Sequence, residues 1–172
     1  MHTRISPGVF VAAVICLALG ASPPGSARGQ TPSQKGATVT ARAKGTFDVK
    51  ATPQPADDQS GDTTIGRLSL DKQFHGDLEG TSKGQMLGVQ TAVKGSAGYV
   101  AMERVSGTVA GRTGTFVLQH SGTMTHGALQ LSITVVPDSG TGQFTGLAGS
   151  MNIEITEGKH FYDFAYTLPE TP

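Results

Sequence analysis

The chain has 172 residues, with 24 glycines, 9 prolines, one cysteine and no tryptophan, and its 13 basic and 13 acidic side chains cancel to a formal net charge of zero. With no excess of positive charge it lacks the basic patch that nucleic-acid binding or electrostatic attachment to an anionic membrane requires. A single cysteine excludes an internal disulfide, so the fold must be held by its core and its strand ladders.

Arg4 and the amino terminus form a short positive end, followed by the apolar run Gly8 to Ala21 and the small, proline-rich stretch Ser22 to Gly29. This is the pattern of a cleaved secretory signal peptide. At about 14 residues the run falls short of the roughly 20 that a membrane-spanning helix needs. Residues 1–29 are therefore read as a leader, cleaved after Ala27 or after Gly29, with Gly29 preferred. Cys16 leaves with it. The mature protein is expected to be periplasmic or secreted, without thiol chemistry and without stable membrane insertion. Removing 29 residues from 172 leaves 143, enough for one domain with a core. Loss of Arg4 and Arg28 leaves 11 basic against 13 acidic side chains.

Residues 30–42, rich in Thr, Ser, Lys and Gly and free of aromatics, read as a flexible N-terminus. From Ala43 alternation sets in. Ala43, Gly45, Phe47, Val49 and Ala51 share one face and Lys44, Thr46, Asp48 and Lys50 the other, as in a half-buried strand. Pro53 to Asp62 reads as a surface loop. Further strands are predicted at 65–75, 77–90, 97–109, 113–124, 128–136, 149–156 and 159–168, separated by turn residues such as Gly76-Asp77, Lys94-Gly95-Ser96, Thr125-His126-Gly127 and Glu157-Gly158-Lys159. Beyond the leader, the longest stretches free of glycine and proline, Arg67 to His75, Ala128 to Val136 and Lys159 to Leu168, are shorter than the roughly 11 residues a helix wants. Short connections imply antiparallel hairpins in sequential order, and eight such strands remove their exposed edges by closing on themselves. The predicted fold is all-β: a closed eight-stranded antiparallel up-and-down β-barrel, one domain over 43–169.

Between Ser139 and Gly149 glycines crowd the chain, but the segment lacks a phosphate-loop pattern and a strand-to-helix context. It reads as a bend packed close to the backbone beneath it, with Phe144 and Leu147 as apolar anchors.

Polar residues on otherwise apolar strand faces are the candidates for chemistry. Lys72 shares a face with Leu68, Leu70, Phe74 and Leu78; His120 with Phe116, Leu118 and Met124; Glu103 with Tyr99, Ala101, Val105 and Val109. On the last strand His160, Tyr162, Phe164, Tyr166 and Leu168 alternate. Buried Lys and Glu require partners, which suggests Lys72 with Glu103 and His120 with a tyrosine hydroxyl. The plainer reading stands beside this one: Lys72 as a rim residue with a solvated head, Glu103 outward after a one-residue slip, and His120 as a satisfied structural imidazole. His75 and His126 read as loop or rim residues. The four histidines beyond the leader show no metal-ligand spacing, and neither a metal nor another cofactor is expected.

Leu70 to Ser82 (LDKQFHGDLEGTS), Phe116 to Met124 (FVLQHSGTM), Val135 to Gly142 (VVPDSGTG) and Asp163 to Tyr166 (DFAY) resemble the bacterial family known as domain of unknown function 3224. The resemblance runs from about Ala43 to Pro169. It implies an allene-oxide-cyclase-like barrel, the shape shared by dirigent proteins and some polyketide-cyclising enzymes. It implies no activity and carries over no catalytic motif. The leader is a departure from relatives that look cytosolic.

Three functions fit these features. The first is a non-catalytic binder of a small apolar or amphipathic molecule, with Phe74, Phe116, Leu118 and Phe164 lining the site and Lys72, His120 or Tyr162 orienting the ligand. Glu103, His160 and Tyr166 complete this candidate set. The second is a cyclase- or isomerase-like enzyme with Glu103 and His120 as acid and base and Lys72 stabilising developing charge. The third is a structural envelope protein that buries its barrel faces against one another as a homo-oligomer.

Overall fold

The computed structural model describes residues 38–58 and 64–169. The leader, its cleavage point and Cys16 lie outside them. The described residues form nine strands: β1 (Thr38–Asp58), β2 (Thr64–Gly76), β3 (Leu78–Gln90), β4 (Ala97–Val109), β5 (Arg112–Thr125), β6 (Ala128–Val135), β7 (Thr141–Gly142), β8 (Ala148–Thr156) and β9 (Lys159–Pro169). All pairings are antiparallel. The order β4-β3-β2-β1-β9-β8-β6-β5 is closed by pairing of β4 with β5, giving the expected eight-stranded barrel, and the two-residue β7 lies outside it against β5.

Three of the hairpins turn on two residues that both have positive φ: Ala110-Gly111, His126-Gly127 and Glu157-Gly158. Such turns match the right-handed twist of the strands they join. They keep neighbouring strands in strict register, and so keep every second side chain facing the interior.

β1 departs from the sequence reading at both ends. Thr38 to Arg42, placed in the flexible N-terminus, pair with β9, and the strand continues through Pro53 to Asp58, where a loop was expected. The prolines fit because β1 pairs with β9 only as far as Phe47. Beyond that point β2 is its sole neighbour, with a register shift between Gln54 and Asp58. A residue without an N–H is tolerated on such a one-sided strand.

The two ends of the barrel are built differently. At the end reached by Phe116, Val109 and Leu168, the glycine-rich segment folds back so that Phe144 and Leu147 become buried. The Phe144 ring meets Phe116 edge-on with centroids 5.6 Å apart, and Phe116 stacks on Phe164 at 5.6 Å. The predicted apolar anchors thus close this end. Replacing Phe144 with alanine should lower stability by about 3–5 kcal/mol in urea denaturation, the usual cost of removing a buried phenyl ring. At the opposite end closure is looser. β6 and β8 share only the pair Thr134–Ser150, so their remaining edges do not pair with each other, and Leu129 and Ile155 at inward positions are largely exposed.

Candidate functional site

Register brings the polar exceptions together. Lys72 on β2 lies opposite Ser82 on β3, and Glu103 on β4 lies opposite Gly84, two residues along β3, where a β-carbon would crowd the Met102 carbonyl oxygen at 2.9 Å and Glu103 itself at 3.3 Å. Lys72 Nζ donates to Glu103 Oε2 at 2.7 Å, and Ser82 Oγ donates to Oε1. His120 Nε2 is 3.0 Å from Oε2, but it is turned away from the line of a hydrogen bond and has no aligned partner. The ammonium group of Lys72 also lies 4.6 Å from the centre of the Phe47 ring, a favourable cation–π contact.

These groups are interior: Glu103 is 0%, His120 4% and Lys72 6% exposed. Burial pushes the Glu103 carboxyl up, but His120, Lys72 and Ser82 together outweigh it and hold the group down at about 2. The Glu103 carboxylate is therefore charged, as expected of a buried carboxylate with a cationic partner and extra hydrogen bonds.

On the open-end side of this cluster lies a cavity of about 750 Å3. Its wall includes Leu68, Met86, Tyr99, Met124 and Leu129. Gly66, Gly88 and Gly122 also line it and occupy inward-facing positions on β2, β3 and β5. Glu103 is four residues along β4 from Tyr99, and His120 four along β5 from Met124, so the charged cluster sits beneath the cavity in the same inward-facing rows.

The sequence candidates divide between the two halves of the barrel. Lys72, Glu103 and His120 are brought together, and the anticipated Lys72–Glu103 partnership is present. His120 does not pair with a tyrosine: the Tyr162 hydroxyl instead accepts from Leu78 N at 2.8 Å and donates to the His75 carbonyl at 3.3 Å. Phe74, Phe116, Leu118 and Phe164 are wholly buried, and Tyr166 stacks on Phe164 at 5.3 Å. These residues form the packed half, not the cavity wall. His160 lies against the Phe47 ring at 4.9 Å. The exposed Val100 and Met102 confirm that Glu103 is the inward residue of β4. Among the described residues, no three His, Cys, Asp or Glu side chains converge as a metal site would need.

With this geometry in view, comparison with known proteins decides the family. The sequence pattern of the family described as protein of unknown function (DUF3224) matches residues 43–166. The chain belongs to this family. A DUF3224 protein of unknown function from Shewanella oneidensis MR-1, solved by crystallography, is 50% identical; the match covers 77% of this chain and 100% of that one, with a TM-score of 0.74. No curated protein matches the sequence.

The cavity wall of this DUF3224 barrel was partly within reach of the sequence. Parity alone puts Leu68, Tyr99 and Met124 on inward faces, but glycines carry no side chain by which parity can mark them as part of a wall. Their signal is register: Gly66, Gly88 and Gly122 become one level of the wall only when the strands are paired.

Proposed function

We propose that this is an exported, non-catalytic carrier of a small apolar or amphipathic molecule, held in the cavity at the open end. One observation carries the reading: half of the barrel is packed solid, while the other half leaves about 750 Å3 behind a mainly apolar wall. That volume falls within the range of roughly 300–1,000 Å3 typical of small-molecule sites. The polar cluster beneath supports binding over catalysis. A carboxylate held at about 2 and fully buried is a weak base at neutral pH, and its role is to fix Lys72 and Ser82.

A structural, self-associating role is favoured by a different feature. Leu87, Val100 and Met102 form an apolar patch on the outer face of β3 and β4.

Native mass spectrometry of the protein isolated gently from its own cells, before and after denaturation, separates the two. An added stoichiometric mass lost on denaturation is the expected result. A ligand-free mass in a defined oligomer would replace the carrier reading with the structural one. The denatured mass also reports export: a chain starting at Gln30 or Arg28 is expected, and one retaining Met1 to Gly29 would refute it.

A further inference from the structure

Glycine inside a strand loses entropy and packs nothing, so it needs a reason. Most strand glycines here have one: a β-carbon at Gly80, Gly107 or Gly114 would overlap a carbonyl oxygen of the neighbouring strand. Gly66 has no such reason. Its φ is not left-handed, and a β-carbon there would meet only the Gly88 carbonyl oxygen, at 3.9 Å.

Register places Gly66 beside Gly88, Gly88 beside Tyr99, and Tyr99 beside Gly122. One level of the cavity wall, four strands wide, thus carries a single side chain. The Tyr99 ring covers Gly122, whose β-carbon would overlap it. Gly66 remains as bare backbone on this level, while Gly88 is flanked by the Met86 methyl, 3.2 Å from where a β-carbon would stand, and by Tyr99 Cβ at 3.5 Å; Leu68 lies on the deeper side. The Tyr99 hydroxyl has no hydrogen bond among the described residues. Burial, and then the charge of Glu103, push its pKa up, so it is a protonated donor.

We propose, building on the reading of this cavity as a ligand site, that the bare backbone at Gly66, bordered by the Met86 methyl and the Tyr99 ring, is a shelf for a flat ring. The ligand class is a planar aromatic or conjugated molecule that lies face-on against the peptide groups, with an acceptor oxygen directed to the Tyr99 hydroxyl. The peptide groups at Gly66, without a β-carbon, let a ring approach β2 at van der Waals distance. A flexible alkyl chain would gain more from leucine or valine at this position, because they would add apolar contact.

Two ten-carbon probes test this by titration calorimetry on the full chain: flat 2-naphthol and flexible 1-decanol. The wild type is expected to bind 2-naphthol about tenfold more tightly than 1-decanol. Gly66→Val should weaken 2-naphthol about tenfold or more while leaving the melting temperature at or above wild type. Gly66→Ala, which meets no close atom, should shift affinity in the same direction by less, and it serves if the valine variant folds poorly. Tyr99→Phe should weaken 2-naphthol about fivefold through the lost hydrogen bond. Equal or tighter binding of 1-decanol, or Gly66 variants that bind 2-naphthol as well as wild type, would overturn the shelf and leave the carrier reading in place. Binding of neither probe up to its solubility limit would overturn both.

Discussion

Glu103→Gln should destabilise the barrel by about 3 kcal/mol or more in urea denaturation at pH 7, although the side chain hardly changes in size. The reason lies in what remains. Lys72 is 6% exposed and, among the described residues, pairs with no carboxylate but Glu103, so the variant leaves a buried ammonium with a neutral amide. Removing one partner of a buried pair typically costs about 3–5 kcal/mol, because the surviving charge is neither solvated nor compensated. Removing both is different. Lys72→Met combined with Glu103→Gln should recover more than half of the loss, since neither charge then has to be desolvated.

The same carboxylate sets an acid limit. Its folded value of about 2 lies below its ordinary 4.5, so Glu103 contributes stability that is complete above about pH 5 and fades as pH falls towards 2. The contribution is on the order of 3 kcal/mol, given the size of that shift. The Glu103→Gln variant should therefore show a much flatter stability profile between pH 5 and pH 2 than wild type. Parallel profiles would mean that the ion pair contributes nothing net.

How much of this was readable in advance follows from the two kinds of information involved. Alternation along one strand is local, so Phe47, Phe74, Phe116 and Phe164 could be placed inside without any structure, and they are inside. Turn chemistry is local too, which is why seven of the strand positions were recoverable from residues such as His126-Gly127 and Glu157-Gly158. β1 defeated the local reading. Pro53 looks like a terminator until β9 is seen to end beside Phe47, leaving β1 with one neighbour.

The site is harder because it depends on register between strands. Lys72 and Glu103 are 31 residues apart, on strands separated by β3, so no local pattern joins them. Parity gave the three polar candidates, and only pairing shows that Lys72 and His120 converge on one carboxylate oxygen. The cavity wall needed more still. Whether an inward glycine is filled by a neighbour, as Gly122 is by Tyr99, or left bare, as Gly66 is, depends on atoms from other strands.

That contrast between glycines makes the second large expectation. Gly45→Ala should cost about 3 kcal/mol or more, while Gly66→Ala should stay within about 1 kcal/mol of wild type, although both add one methyl group to an inward strand position. At Gly45 the new β-carbon would overlap the His75 carbonyl oxygen and lie 2.7 Å from the Tyr162 hydroxyl oxygen and 2.9 Å from its ring. Tyr162 cannot yield without loss. Its hydroxyl receives the Leu78 N–H at 2.8 Å, and its ring meets Phe74 edge-on at 5.7 Å. Moving it would leave the N–H of Leu78, a fully buried residue, without its partner, and an unmade buried hydrogen bond adds about 1–3 kcal/mol to the steric cost. Urea denaturation gives the size of the effect, and amide exchange identifies its cause: the Leu78 N–H should lose protection in Gly45→Ala and keep it in Gly66→Ala. If Gly45→Ala destabilised the barrel while Leu78 stayed protected, the strain would lie in the β1–β2 pairing alone, and the Tyr162 hydroxyl would not be the group that fixes glycine at position 45.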